Sequence, residues 1–261
     1  MRTALTIAGS DSGGGAGIQA DLKTFAAFGV YGTSAVTAVT AQNTRGVTAW
    51  EPVSTELVIA QIEAVGADFA PRAVKTGMLA TTAIVEAVGA TIAEMELPNL
   101  VVDPVMLAKG GDRLLREDAV MAIVAELLPR AEVVTPNIPE AEILTGASIR
   151  SVGDMHDAAR RIRKLGPRVV VIKGGHGEGN DVVDVVCTPE REFELRGPRL
   201  DTPHTHGTGC TFASAIAAGL ALDRSVDDAI RDARTYVEGA IREAPGLGGG
   251  HGPLHHFWRV Y

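Results

Sequence analysis

Short apolar runs of strand length alternate with longer helical patterns along most of the chain. The runs lack polar alternation, which is typical of parallel strands buried on both faces. They are Leu5–Gly9, Ala73–Thr76, Leu100–Asp103, Val133–Thr135 and Val169–Lys173. Helical patterns cover Ala16–Phe28, Thr55–Phe69, Thr81–Glu94, Glu117–Leu127 and Val152–Leu165. This alternation predicts an α/β fold of three layers, α/β/α, in which helices flank a central, mostly parallel sheet.

The later part of the chain has a different pattern. Two short runs, Val182–Cys187 and Arg191–Leu195, flank a turn and predict an antiparallel hairpin. Two helices follow, Cys210–Leu222 and Val226–Arg242, and no linker or repeat separates them from the rest. We therefore predict a single domain over residues 1–261.

The composition is that of a globular protein. Apolar residues make up 46% and charged residues 21% of the 261 residues, which allows a sizeable core. The net charge of −8 argues against a nucleic-acid-binding protein. No apolar run approaches the roughly 20 residues of a membrane helix, and the few cysteines do not form a disulfide framework. We expect a cytoplasmic protein with no nucleic-acid or membrane partner.

Polar segments follow the predicted strands where each strand ends. Open α/β sheets bind ligands at the carboxyl ends of their strands, so several such segments at one edge predict a site. They are Gly9–Asp11, Lys75–Met78, Asp103–Met106, Thr135–Asn137 and Lys173–His176. The glycine run Gly13–Gly17 opens a helix but matches neither a Walker A loop nor the dinucleotide-binding pattern. A P-loop NTPase and a Rossmann dehydrogenase are therefore not supported.

The motif His206-Gly207-Thr208-Gly209-Cys210 leads directly into an apolar helix. Small residues leave the N–H groups of a helix N-terminus open to an anion, which the helix dipole also favours. A transferring phosphoryl group needs such fixed donors. Because a helix N-terminus lowers the pKa of a nearby thiol, Cys210 is a candidate proton acceptor for a substrate hydroxyl. The alternative interpretation is a small buried cysteine that only packs.

Asn137 and Glu140 lie three residues apart at a predicted helix start and therefore share a face. An amide and a carboxylate in this arrangement can order Mg²⁺ through its waters. The alternative interpretation is an N-cap residue followed by a first-turn acid. The paired histidines, His204 with His206 and His255 with His256, lack further ligands at a recognisable spacing, so no zinc site is predicted.

In combination, these motifs resemble the hydroxymethylpyrimidine/phosphomethylpyrimidine kinases of thiamine biosynthesis, which belong to the ribokinase superfamily. The resemblance covers essentially the whole chain. The segments that carry it are Ala8–Asp21, Thr40–Thr44, Lys75–Leu79, Asp103–Met106, Thr135–Glu140, Lys173–His176, His206–Cys210 and Gly252–Phe257. It implies a ribokinase-like fold, a homodimer, and the use of ATP and Mg²⁺. It also implies two reactions, phosphorylation of 4-amino-5-hydroxymethyl-2-methylpyrimidine and then of its monophosphate.

The resemblance further implies roles for individual residues. The pyrimidine pocket would be lined by Gly9, Asp21, Gln42, Met78 and Val105. Gln42 and Asp21 offer partners to an aminopyrimidine, while Met78 and Val105 can enclose the ring. Cys210 stands where many relatives carry an aspartate base, and the anion hole would be Gly207, Thr208 and Gly209. Asp103, Asn137 and Glu140 would organise Mg²⁺ and phosphate, and the nucleotide would contact Lys173, Asn137 and Thr208.

Three alternatives stay open on the sequence. Pyridoxal kinase is a near relative that phosphorylates another hydroxymethyl-bearing ring, although it usually carries aspartate at the position of Cys210. A module that binds the pyrimidine without catalysis is a second alternative, against which the Gly207–Cys210 motif counts. A nucleotide-binding structural protein is a third, and no sequence feature favours it.

Overall fold

The computed structural model describes residues 1–106, 117–176 and 181–259. The strands in these ranges are β1 (Thr3–Ser10), β2 (Tyr31–Asn43), β3 (Gly46–Pro52), β4 (Ala73–Thr76), β5 (Leu100–Val102), β6 (Val133–Val134), β7 (Val169–Ile172), β8 (Asp181–Cys187) and β9 (Glu192–Pro198). They form a nine-stranded sheet in the order β3-β2-β1-β4-β5-β6-β7-β8-β9.

The centre of the sheet is parallel and its edges are antiparallel. β2, β1, β4, β5, β6 and β7 run in one direction, with registers such as Ala4 opposite Ala73 and Val74 opposite Leu100. β3 pairs antiparallel with β2 at one edge, and β8 and β9 form the late hairpin at the other. The mostly parallel sheet and the hairpin are confirmed, whereas β2 and β3 were not predicted.

The helices are α1 (Gly17–Ala27), α2 (Thr55–Phe69), α3 (Thr82–Glu94), α4 (Glu117–Ala122), α5 (Ile138–Thr145), α6 (Val152–Arg163), α7 (Thr208–Ala221) and α8 (Val226–Arg242). Side chains of Ser54, Ser151 and Ser225 cap α2, α6 and α8 by accepting hydrogen bonds from first-turn N–H groups. The pattern predicted over Glu117–Leu127 is only partly α-helical, since α4 continues as a π-helical segment from Ile123. Within the described ranges, no helix is long and apolar enough to cross a membrane.

Two hydrophobic cores lie on opposite faces of the sheet, which confirms the three layers. Alternate residues of each central strand point to opposite faces. Leu5, Val74 and Val102 pack against α2 to α6, whereas Ala4 and Val101 pack against α1, α7 and α8. The central helix α7 is buried over most of its length, since every residue from Thr211 to Ala221 is buried. Its N-terminus is therefore held rigidly against the sheet.

The chain reverses its direction of travel across the sheet at β1. It passes from β1 to β2 on one side and reaches β4 on the other side of β1. Such a switch point opens a crevice beyond the carboxyl ends of the two strands, where ligands bind in open α/β sheets. Gly9 near the end of β1 and Gly77 directly after β4 both lie at this crevice, and both are tied to the neighbouring strand segment. The Gly9 N–H donates to the Met78 carbonyl at 3.1 Å, and the Gly77 N–H donates to Ile7 at 3.0 Å.

Candidate active site

The N-terminus of α7 forms an anion cradle over the carboxyl ends of the strands. Gly207 is the N-cap residue and has a φ of +83°, a conformation that favours glycine. A Cβ at this position would lie 1.8 Å from the Gly15 carbonyl oxygen, so no side chain fits there. The helix begins at Thr208, two residues before the predicted start near Cys210, which places Thr208, Gly209 and Cys210 in its first turn. First-turn N–H groups have no partner within a helix and can turn towards an anion. The Thr208 N–H makes only a long contact of 3.4 Å with the Thr205 carbonyl.

A lysine–carboxylate cluster borders one side of this cradle. The Lys173 ammonium donates to Asp103 Oδ1 at 2.9 Å, and a Cβ on Gly209 would lie 3.2 Å from Lys173 Nζ and 3.5 Å from Asp103 Oδ2. Glycine at position 209 therefore lets the cradle and the ammonium approach each other closely. Burial works to lower the pKa of Lys173, but Asp103 and Glu140 raise it above its ordinary value. The lysine is charged at neutral pH and suits a phosphate group.

Asn137 and Glu140 form a capping box at the start of α5. Asn137 Oδ1 accepts from the Glu140 N–H at 2.9 Å, and Glu140 Oε2 accepts from the Asn137 N–H at 2.8 Å. This contact accounts for their spacing, and it occupies the amide oxygen with which Asn137 was predicted to act at Mg²⁺. Burial raises the pKa of Glu140 to about 7, and Asp103 adds to the effect against the attraction of Lys173. In the described part of the chain, no group of three or more His, Cys, Asp or Glu residues is placed to hold a metal ion.

Cys210 lies between this cluster and a second lysine–aspartate pair, and charged groups of both pairs act on its thiol. Burial raises the pKa of the thiol to about 11; Lys75 works to lower it, while Asp21 and Asp103 add to the rise. The predicted lowering of this pKa is therefore wrong. A helix N-terminus lowers the pKa of an exposed thiol. For the half-buried Cys210, desolvation destabilises the thiolate more than the helix N-terminus stabilises it. At neutral pH the group is a thiol.

The second pair, Lys75 with Asp21, is entirely buried beneath the cradle. Lys75 Nζ donates to both Asp21 oxygens, at 3.0 and 2.9 Å, and both side chains have 0% exposure. The hydroxyls of Thr6 and Ser214 each donate to Asp21 at 2.6 Å. The prediction that Asp21 pairs with the substrate ring is contradicted, because no surface of its carboxylate is left to reach a ligand. Its role is to anchor α1, β4 and α7 to one another.

On the other side of the cradle, the remaining predicted pocket residues lie around the switch point. Gly9 is buried and a Cβ on it would lie 3.6 Å from the Met78 sulfur, so the two residues are in contact. Gln42 is half-buried near the end of β2, where its side chain lies 3.4 Å from His206 and 3.2 Å from Thr40. Val105 is half-buried directly after β5, two residues beyond Asp103. Gly9, Gln42 and Met78 thus share one side of the site.

Asp11 organises the glycine run beside the site, a contribution that was not predicted from the sequence. It is 3% exposed, and its carboxylate accepts from the N–H groups of Gly13, Gly15 and Ala16 and from His206 Nε2 at 2.9 Å. Burial works to raise its pKa, but these hydrogen bonds lower it below the ordinary value. The glycine run is therefore tied to a charged centre and does not form a free turn. An aspartate two residues before a glycine is a turn signal, but nothing local could identify His206 as its partner.

An anion cradle with a lysine cluster on one side and a small polar and apolar pocket on the other is the arrangement of a small-molecule kinase. Residues 11–255 match the family model described as phosphomethylpyrimidine kinase, and the chain belongs to that family. The fold is accordingly ribokinase-like.

Individual relatives agree with this assignment. The chain is 52% identical over 257 residues to the hydroxymethylpyrimidine/phosphomethylpyrimidine kinase of Streptomyces coelicolor, which covers 98% of this chain and 94% of the relative. It is 50% identical over 252 residues to the thiamine biosynthesis bifunctional protein ThiED of Geobacter sulfurreducens, which covers 97% of this chain and 51% of that protein. The solved ADP complex of a Bacillus subtilis pyridoxal kinase superposes with a TM-score of 0.92 at 40% identity, over 100% of both chains.

Proposed function

We propose that the protein is an ATP-dependent kinase that phosphorylates 4-amino-5-hydroxymethyl-2-methylpyrimidine and then its monophosphate, giving the diphosphate used in thiamine biosynthesis. The observation that carries the proposal is the place of Cys210. Its thiol lies in the first turn of α7, with the Lys173–Asp103 cluster on one side and the pocket of Gly9 and Met78 on the other. A hydroxymethyl group extending from that pocket would meet the phosphate cradle at this thiol.

Each side of the cradle has a separate task in this proposal. The N–H groups of Thr208, Gly209 and Cys210 would donate to the phosphoryl oxygens, and Lys173 would neutralise charge on the nucleotide phosphates. Gln42 would hydrogen-bond the aminopyrimidine, while Met78 and Val105 would enclose its ring. The geometry thereby supports positioning and charge stabilisation, which a loose phosphoryl-transfer transition state requires most.

The Cys210 sulfur is the acceptor that we assign to the proton of the substrate hydroxyl, because the thiol lies in the first turn of the cradle helix. Because the pKa of the free thiol is about 11, only a small thiolate fraction is present at neutral pH. We propose that Cys210 in its thiolate form accepts the proton late and becomes the thiol, as the new oxygen–phosphorus bond forms and the hydroxyl becomes acidic. Lys75 favours the thiolate that must be present before the proton is accepted, because its ammonium works to lower the pKa of Cys210.

A bound Mg²⁺ would supply positive charge beside the nucleotide phosphates. Asp103 is the residue that fits this ion best, because its Oδ2 lies beside Gly209, whereas Lys173 and Thr135 both contact Oδ1. Glu140 lies close enough to Asp103 and Lys173 to affect the local charge. Since the amide oxygen of Asn137 is engaged in the capping box, we expect this residue to position Glu140 and not to bind the ion.

The decisive experiment measures ADP release by the purified protein with Mg-ATP and three acceptors in parallel. The acceptors are the hydroxymethylpyrimidine, its monophosphate and pyridoxal. Turnover on the first two, with a strong loss in Cys210→Ala and retained ATP binding, is the expected result. Cys187→Ala is the matched control, because Cys187 is a buried cysteine of β8 far along the sheet from α7. No turnover on either pyrimidine would contradict the proposal, and binding without ADP release would favour a binding module.

Pyridoxal is the second candidate substrate. The observation that favours it is the TM-score of 0.92 to a pyridoxal kinase over the whole of both chains. A higher kcat/KM for pyridoxal than for both pyrimidines would move the assignment to this alternative.

We also propose a homodimer. The edge strand β3 is exposed along its whole length, and Val39, Val47 and Trp50 on the β2–β3 pair are large exposed apolar side chains. Light scattering after size-exclusion chromatography would test this, and a monomer mass at micromolar concentration would contradict it.

A further inference from the structure

The Gln42 amide lies between two residues that restrict its orientation. Its side-chain nitrogen is 3.4 Å from His206 Nε2, and its side-chain oxygen is 3.2 Å from the Thr40 hydroxyl. A half-turn about the last side-chain bond exchanges the amide nitrogen and oxygen, so hydrogen-bond partners decide between the two orientations. The protonation of His206 and the hydroxyl proton of Thr40 therefore determine which amide atom lies on which side.

His206 must carry a proton on Nε2. This nitrogen lies 2.9 Å from Asp11 Oδ2, and an ionised carboxylate only accepts hydrogen bonds. Asp11 is held in that charged form by three further donors from the backbone of the glycine run. An N–H on Nε2 cannot accept from the Gln42 NH₂, so the orientation with nitrogen towards His206 sets two donors against each other. The amide oxygen is the atom that suits this side.

Thr40 leads to the same conclusion from the opposite side. Its hydroxyl has one proton, which goes to the Ser10 carbonyl at 2.8 Å. The Thr40 oxygen can then only accept, so it needs the NH₂ group of Gln42 and not the amide oxygen. Both neighbours therefore favour the amide with its oxygen towards His206 and its nitrogen towards Thr40.

We propose that Asp11 and His206 are positioning residues that fix this orientation of the Gln42 amide and thereby determine which way round an aminopyrimidine ring binds. The inference rests on the proposed function. An amide reads an amino group beside a ring nitrogen by a pair of hydrogen bonds, oxygen to amino and nitrogen to ring nitrogen. With the oxygen on the His206 side, the amino group lies on that side and the ring nitrogen lies towards Thr40.

The orientation of the ring then decides where the reactive hydroxyl points. In 4-amino-5-hydroxymethyl-2-methylpyrimidine, the hydroxymethyl group is attached to the carbon next to the one that carries the amino group, on the side away from that ring nitrogen. When the amino group lies on the His206 side, the hydroxymethyl group lies further in the same direction. It then points towards His206, which directly precedes the Gly207–Cys210 cradle. The reversed amide would direct the hydroxyl towards Thr40 and away from Cys210.

The test compares His206→Met with His206→Gln. Methionine fills the space of the ring beside Gly15 without an N–H, whereas glutamine returns an amide nitrogen near the position of Nε2. His251→Met is the matched control, because His251 is exposed on the neighbouring segment and its ring contacts the Pro203 carbonyl, at 3.2 Å. For each protein, kcat, KM and calorimetric Kd are measured with the aminopyrimidine and with the analogue that lacks the amino group. Thermal unfolding is recorded alongside.

We expect His206→Met to lower kcat on the aminopyrimidine about tenfold or more while Kd changes little, because the ring still binds but often in the reversed orientation. The wild-type preference for the amino compound, about 10- to 100-fold for a good bidentate pair, should shrink in this variant. His206→Gln should restore most of kcat and most of the preference for the amino compound, and His251→Met should match the wild type in both measurements.

Two results would overturn the inference. One is an unchanged kcat and an unchanged preference for the amino compound in a folded His206→Met protein. The other is an equal loss in His206→Met and His206→Gln with a lowered unfolding temperature in both, which would show a purely structural role. Wild-type protein that turns over neither pyrimidine would instead overturn the proposed function, and this inference with it.

Discussion

Two lysine–aspartate pairs lie near Cys210, and they differ in how many partners each carboxylate has. Asp21 receives both contacts of Lys75 and the hydroxyls of Thr6 and Ser214, and the pair is fully buried. Asp103 receives one contact from Lys173 at 2.9 Å and a longer one of 3.4 Å from Thr135. The Lys173 side chain is 15% exposed and lies beside the anion cradle, whereas the Asp103 side chain is 2% exposed, so the pair is open at its lysine. The same two residue types thus form a closed anchor in one place and an open, ligand-facing pair in the other.

The difference shows that a charged pair near an active site is not in itself a sign of catalysis. A buried carboxylate with all its acceptor positions filled has no capacity left for a ligand, and it fixes the elements that supply its donors. A carboxylate with free positions next to a partly exposed ammonium can exchange partners when phosphate or a cation arrives. The number of unfilled hydrogen-bond positions, not the identity of the residues, separates the two roles.

The largest expected effect comes from breaking the closed pair. Lys75→Met leaves the Asp21 carboxylate buried without its cation and should lower the free energy of unfolding by about 3–5 kcal/mol. Arg72→Met is the control, because its partner Asp223 is 46% exposed and the loss there should stay below about 1 kcal/mol. Urea denaturation followed by circular dichroism measures both. Equal, small losses of unfolding free energy in both variants would show that the buried Lys75–Asp21 pair contributes no more than the exposed Arg72–Asp223 pair.

The open pair should show the opposite behaviour. We expect Lys173→Met to reduce turnover about 100- to 1000-fold, since it removes a fixed charge from the phosphate site, while stability changes little. Lys164→Met removes an exposed lysine at the end of α6 and should leave turnover unchanged. Steady-state kinetics and thermal unfolding of both variants provide the comparison. A stability loss as large as that of Lys75→Met would contradict the assignment of Lys173 to the ligand-facing pair.

The pH dependence of turnover reports the thiol that lies between the two pairs. The pKa of Cys210 is raised to about 11, so the thiolate fraction increases with pH until about that value. If Cys210 accepts the proton, kcat/KM should rise about tenfold per pH unit from neutral to mildly alkaline pH. Cys210→Ala should have a low rate without this slope. A flat wild-type profile would exclude the thiolate as the base.

The smallest effect is expected from a methyl group at the cradle. In Gly209→Ala the new Cβ would lie 3.2 Å from Lys173 Nζ, which forces the flexible end of the lysine to shift slightly. We expect KM for ATP to rise several-fold, with stability nearly unchanged. Gly153→Ala in α6, whose Cβ would be 3.6 Å from the Ser151 hydroxyl, is the control with ordinary contacts. An unchanged KM would show that the cradle and Lys173 do not act on the same group.

The central part of the fold was predictable because its strands are continuous apolar runs. β4 and α2 have the predicted bounds, Ala73–Thr76 and Thr55–Phe69. β2 was missed because its apolar residues are interrupted by Thr, Ser and Gly and the strand is only partly buried. β3 was missed because every residue in it is exposed. An edge strand held mainly by backbone pairing leaves little hydrophobic signal in the sequence.

The sequence was sufficient to predict which segments form the site, but not which side chains hydrogen-bond each other within it. The polar segments after β1, β4, β5, β6 and β7 do meet at one edge of the sheet. The roles of Asp21 and Asp11 were inaccessible, because each depends on donors more than 190 residues away, Ser214 and His206. The protonation of Cys210 was predicted wrongly for the same reason, since desolvation is a property of the folded surroundings.

The contact between Asp11 and His206 also determines when a newly made chain becomes competent. The two residues are 195 positions apart, so at typical rates of synthesis roughly 10 to 40 s pass between the appearance of one and of the other. During that interval the glycine run has no histidine to hold it, and α7 is not yet present to cover its face of the sheet. The substrate side of the site is therefore completed among the last events of biogenesis, and a chain stalled before residue 206 contains most of the sheet but no working site.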